Sequence, residues 1–87
     1  MKTFEVSEKL RRKLIKLERK DKRKYFILMK KIKEVIESTN IEHYKNLKYE
    51  LKHLKRVHIN SHFVLIFKFE EKNIYFEDFD HHNNIYK

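Results

Sequence analysis

Apolar residues recur at two different periods along the chain, and the change between them divides it. Leu10, Leu14 and Leu17 fall at i, i+4 and i+7, with Lys and Arg filling most of the positions around them. That spacing predicts a helix with one buried face. A second stripe, Tyr25, Leu28, Met29, Ile32, Val35 and Ile36, continues at helical period. Ser7, with Glu8 behind it in the first turn, predicts the start of the first helix, and Asp21 the start of the second. The pattern stops at Ser38-Thr39-Asn40, where Asn40 is expected to adopt the left-handed cap that glycine usually provides. An antiparallel helical hairpin follows.

On both sides of this hairpin the period is two. Lys2 to Val6 reads as a short strand with Phe4 and Val6 on one face. Leu54 to Ile59 reads as a second strand, with Arg56 and His58 on one face and Val57 and Ile59 on the other. Asn60-Ser61 is expected to turn the chain, because Asn tolerates positive φ. Phe63 to Phe69 is apolar on both faces, which predicts a central, buried strand. Glu70 to Asn73 reads as a hairpin loop, Ile74 to Phe79 as a fourth strand, and Ile85-Tyr86-Lys87 as an irregular or single-turn tail. Between the helices and the second strand, Ile41 to Lys55 has Leu47, Leu51 and Leu54 as anchors. It reads as a connection laying Lys45, Lys48, Lys52 and Lys55 along the sheet edge. The order is β-α-α-β-β-β, an α+β fold with a two-helix hairpin on a mainly antiparallel four-stranded sheet. At 87 residues the chain is one domain, residues 1–87.

Composition narrows the function classes. Cysteine is absent, which excludes a disulfide framework and a zinc ribbon. Glycine is absent too, which argues against glycine-rich phosphate loops and leaves turn formation to Asn, Ser and Asp. No signal-like stretch is present, and none nears the roughly 20 apolar residues that span a bilayer, so a cytoplasmic protein is expected. The net charge of +9, with a pI near 9.8, favours polyanions, of which nucleic acid is the commonest. A solvated lysine-rich surface accounts equally well for runs such as Arg11-Arg12-Lys13.

Candidate chemistry is concentrated between Arg56 and Lys87, which hold His58, His62, His81 and His82. As metal ligands they read weakly. His58 and His62 bracket a predicted turn, and neighbours such as His81 and His82 on a strand would point to opposite faces. No metal or cofactor is expected. Metal-free RNA cleavage asks for less. The RNA's own 2′-hydroxyl attacks the adjacent phosphorus, imidazoles move the protons, Lys or Arg balance the phosphate charge, and an aromatic ring stacks on a splayed base. The strand ends offer that set: His58 with Arg56, His62 with Phe63 and His82 with Tyr86, with Lys45, Lys52 and Lys55 nearby.

These residues carry a resemblance. NLK at Asn46 to Lys48, RVHI followed by HFVLIFK, and DFDHHNNIY resemble the RelE/ParE superfamily of type II toxins, above all its archaeal RelE and bacterial YafQ branches. The resemblance covers essentially the whole chain and is specific from about Lys45 to Tyr86. It implies the fold order above and a ribosome-dependent mRNA endonuclease that cuts in the A site without metal. It also implies silencing by an acidic antitoxin in a hetero-oligomer, with ribosome and mRNA as the other partners and no membrane. Matching residues in that pattern assign His58 and His82 to proton transfer and phosphate stabilisation, and Phe63 and Tyr86 to holding the substrate. His62 stands where the branch has an acidic residue and Lys45 where it has a histidine, so the general base is left open. Val64 occupies the place of a RelE-type arginine. The expected catalytic set is His58, His62, His82 and Tyr86, with Lys45, Lys52, Lys55, Arg56 and Phe63 binding substrate. A ParE-like toxin acting on a topoisomerase and a non-catalytic RNA-binding module are the alternatives.

Overall fold

The computed structural model describes residues 2–48 and 51–85, in which two helices pack on one face of a four-stranded sheet. The elements are β1 (Thr3–Val6), α1 (Glu8–Lys20), α2 (Lys22–Glu37), a 3-10 turn (Ile41–His43), β2 (Lys55–His58), β3 (Phe63–Glu70), β4 (Asn73–His81) and α3 (His82–Ile85). The expected β-α-α-β-β-β order holds, with the tail forming the single turn α3. The sheet order is β1-β4-β3-β2, with β1 parallel to β4 and the other pairs antiparallel. β3 thus has a neighbour on each side and packing on each face, which is why Phe63 to Phe67 are all apolar. No helix among the described residues is long and apolar enough to cross a membrane.

The helix signals work as the sequence predicts. The Ser7 hydroxyl accepts a bond from Leu10 N at 3.0 Å, satisfying one of the first-turn amides that a helix leaves without an internal partner. Asp21 serves both helices: its N–H donates to Leu17 O, and its carboxylate accepts from Lys24 N. One residue therefore joins α1 to α2. The end of α2 differs from expectation. Asn40 keeps a negative φ of −138°, and the helix stops at Ser38, which turns extended. The Lys2 ammonium donates to the Ser38 carbonyl, so a charged side chain takes over the capping that a left-handed residue would have performed.

Leu10, Leu28, Ile32 and Val35 from the helices meet Leu65, Phe67, Ile74, Phe76 and Phe79 from the sheet in the main core. A smaller cluster on the far face joins Val64 and Ile66 to Leu47, with Leu54 and Ile85 against it. The connection after α2 does run along the sheet edge. Arg56 N donates to Lys45 O and Asn46 bridges Lys55, so Lys45 to Leu47 cover β2 and seat Leu47 in the second cluster.

Two irregularities escaped the pattern. Glu71 and Lys72 form the two-residue β3–β4 turn with φ of 49° and 66°, a primed hairpin turn built without Asn or Gly. Left-handed backbone costs such residues about 1–2 kcal/mol each. The double change Glu71→Asn with Lys72→Gly is expected to stabilise the fold by about 1–2 kcal/mol. Urea denaturation would show it as a raised midpoint at unchanged slope, and an unmoved midpoint would count against this turn. The second irregularity is a bulge: Ile66 pairs with Asp78 but Phe67 pairs with Phe76, leaving Glu77 extra. Ser7 fastens there, its N–H donating to Phe76 O and its hydroxyl to Glu77 O.

Candidate active site at the histidine end of the sheet

The alternation of β2 decides which side chains reach the face away from the helices. Lys55 and Val57 lie opposite Phe67 and Leu65 of the main core, so they face the helices. Arg56 and His58 lie opposite Ile66 and Val64 of the second cluster, on the other face, as alternation predicts. Register extends these rows across the sheet: His58, Val64, Asp80 and Arg56, Ile66, Asp78. His58 is exposed at the end of its strand.

The β2–β3 loop brings His62 to the same end. Asn60 keeps φ negative and works through its side chain, its Oδ1 accepting from His62 N at 2.8 Å and Phe63 N at 3.0 Å. This Asx-type turn, not the expected left-handed Asn, reverses the chain. His62 O then accepts from His82 N at 2.8 Å, tying the loop to the first residue of α3. The His62 and His81 rings stack at 5.8 Å, and those of His81 and His82 at 4.8 Å. The expectation that His81 and His82 point to opposite faces assumes a strand running through both. β4 ends at His81 and helix begins at His82, so the divergence does not apply. The signal was present in the Asn83-Asn84 pair, which breaks the strand pattern.

Asp80 fastens this end. Its carboxylate accepts from His81 N at 2.7 Å and Asn84 Nδ2 at 3.0 Å, with the Lys13 ammonium 3.4 Å away. Burial pushes its pKa up, but those hydrogen bonds and Lys13 outweigh it and hold the carboxyl below its ordinary value. Lys13 also reaches Asp78 at 2.8 Å and Phe79 O at 2.9 Å, clamping α1 to the end of β4.

The other expected substrate residues divide. Lys45 and Lys52 are exposed on the covering segment, and Lys52 O accepts from Asn46 Nδ2. Lys55 is different: its side chain is 8% exposed, and its ammonium bonds Tyr44 O at 3.2 Å and Asn46 Oδ1 at 3.1 Å, with Glu42 3.7 Å away. Those bonds hold the connecting segment in place. Phe63 turns to the helix side, where it stacks on Phe79 at 5.2 Å and carries the Lys24 ammonium 4.1 Å above its ring. It therefore stands on the opposite face from His58, its ring meeting the edge of His81 at 5.6 Å. Tyr86 falls outside the described residues.

What the arrangement offers chemically is a group of three imidazoles, His62, His81 and His82, at the end of a sheet whose β2 carries Arg56 and His58 on one face. An α+β domain of this topology is shared with solved bacterial toxins. Over 92% of the chain and 98% of the other, it matches the YoeB/ParE toxin of Agrobacterium tumefaciens with a TM-score of 0.78 and 10% identity. It matches a chain of the E. coli DinJ–YafQ complex with a TM-score of 0.65 and 22% identity, over all of both chains. No family model matches the chain. In sequence it is 45% identical over 86 residues to the Methanocaldococcus jannaschii protein named "Putative toxin RelE4", covering 97% of the chain and 89% of that protein. The chain belongs to the RelE superfamily of toxins.

Proposed function

We propose that this toxin is a ribosome-dependent mRNA endonuclease, the toxic half of a toxin–antitoxin pair, cutting by acid–base chemistry without a metal. The observation that carries the reading is the meeting of His62 and His82 at the strand end where Arg56 and His58 stand on the face away from the helices. In the proposed reaction the 2′-oxygen of the substrate forms a bond to phosphorus while the bond from phosphorus to the 5′-oxygen breaks. One side chain takes the 2′-hydroxyl proton and another protonates the departing 5′-oxygen, leaving a 2′,3′-cyclic phosphate and a 5′-hydroxyl. His58 and His82 are assigned to these transfers, with His62 beside His82 as the competing candidate for base. Arg56 faces the phosphate charge, and Lys45 and Lys52 extend the basic track for the strand. Tyr86 is assigned to the substrate by its place in the sequence pattern.

The antitoxin is expected to be acidic, matching the net charge of +9. The relatives YafQ and YoeB were solved with DinJ and YefM respectively, which supports a protein partner of this kind.

Mapping the 5′ ends of mRNA on ribosomes with and without the protein tests the reading. New 5′-hydroxyl ends at A-site codons are expected, and they should persist when the toxin is pretreated with EDTA in an assay that keeps ribosomes intact. Salt-sensitive RNA binding without new ends would replace the enzyme by a binding module. Loss of gyrase supercoiling without cleavage would point to a topoisomerase target instead.

A further inference from the structure

Three imidazoles meet at this sheet end, and RNA cleavage as proposed has no use for the third. The ligating nitrogens of His62, His81 and His82 all lie within 4.8 Å of one another. They come from three local structures, a loop, a strand end and a helix start, so no single periodicity in the sequence announces them. A tetrahedral site with metal–nitrogen bonds of about 2.0–2.1 Å needs those nitrogens about 3.4 Å apart. From the present spacing each moves inward by less than about 1 Å. Side-chain rotation covers that distance, and His62 lies on an exposed loop. The backbone N–H of Asn83 donates to His81 Nδ1 at 3.2 Å, a long bond that ligation by His81 gives up. Three imidazoles with no thiolate suit borderline ions such as Zn²⁺, Co²⁺ and Ni²⁺, and not Mg²⁺, which prefers oxygen ligands.

We propose that His62, His81 and His82 form a site for a divalent transition-metal ion of the zinc class, and that its occupation shuts off RNA cleavage. The second half rests on the function proposed above. A bound ion takes the imidazole lone pairs of His62 and His82, and a nitrogen committed to a metal neither accepts nor delivers a proton. Because His81 serves the ion and not the cleavage chemistry, it separates the two halves.

The test uses the purified full chain and its His81→Phe variant, which keeps a ring against Phe63 and lacks the ligand; melting curves verify that both are folded. Calorimetric titration with Zn²⁺ is expected to show one ion per chain, Co²⁺ to give the visible absorption of a tetrahedral site, and Mg²⁺ to give neither. In His81→Phe the Zn²⁺ affinity should fall at least about tenfold, the lower bound set by losing even an outer partner of a ligand. Micromolar Zn²⁺ should stop mRNA cleavage by the unaltered protein and spare the variant, whose cleavage without metal is unchanged. Absence of binding, or equal affinity in the two proteins, overturns the site. Equal sensitivity of their cleavage to zinc overturns the shut-off. Zinc binding lost in the variant, with no cleavage by either protein, overturns the nuclease reading and the shut-off together and leaves the ion site standing.

Discussion

Replacing His82 by alanine is expected to lower ribosome-dependent mRNA cleavage by roughly 10²–10⁴-fold, the range that one positioned acid or base contributes. Growth arrest on expression should disappear with it. The fold should survive. The bond from His82 to His62 O is made by the backbone N–H, so alanine keeps it, and alanine is favourable at the start of a helical turn. The imidazole is half-buried at the sheet end and outside both core clusters. The measurement pairs 5′-end counts on ribosomes with a melting curve of the same preparation. Full toxicity from a folded His82→Ala protein would remove His82 from the reaction and shift the proton transfers to His58 and His62.

Phe67→Ala is expected to destabilise the protein by about 3–5 kcal/mol, a large part of the roughly 5–15 kcal/mol that holds a small domain together. Phe67 is fully buried in the centre of β3, with Tyr44 edge-on at 5.5 Å and Phe76 at 6.0 Å. Removing it opens a cavity bounded by the covering segment on one side and β4 on the other. At about 4–8 °C per kcal/mol for a chain of this size, the melting temperature should fall by about 12 °C or more. Phe26→Ala provides the contrast, since that ring is 67% exposed and its loss should be nearly neutral. Similar melting temperatures for the two variants would contradict the assigned core.

The element order was legible because each element kept one period over enough residues. Leu10, Leu14 and Leu17 admit a helix and little else, and Ser7 and Asp21 mark starts by chemistry that acts within three residues. β3 was legible because a run apolar on both faces, such as Phe63 to Phe67, fits a strand with neighbours and packing on all sides. The rest depended on contacts between distant residues. The end of α2 is capped by Lys2, 36 residues away, which no local rule anticipates. Lys55 read as a surface cation because lysine usually is one. Its alternation with Val57 was the available sign that it faces inward, where Tyr44 and Asn46 receive it. At the candidate site, Arg56 and His58 were placed by period two alone. His81 was missed because the rule for strand neighbours was carried one residue past the strand.

The extra residue in β4 has a consequence for how this family member can vary. Ile74, Phe76 and Phe79 all enter the same core, although the step from Phe76 to Phe79 is odd. Glu77 absorbs that step. Upstream of it, spacing is dictated by the core; downstream, by Phe79 in that core and by Asp80 and the histidines around it. The bulge thus works as a joint between two reading frames of side-chain direction. Substitutions at His81 or His82, which lie outside both core clusters, can retune the histidine end without disturbing the packing behind it. Flattening the bulge with Glu77 kept in the ladder would swing Asp78 toward the apolar interior and Phe79 toward water, whereas deleting Glu77 would restore plain alternation and keep both directions.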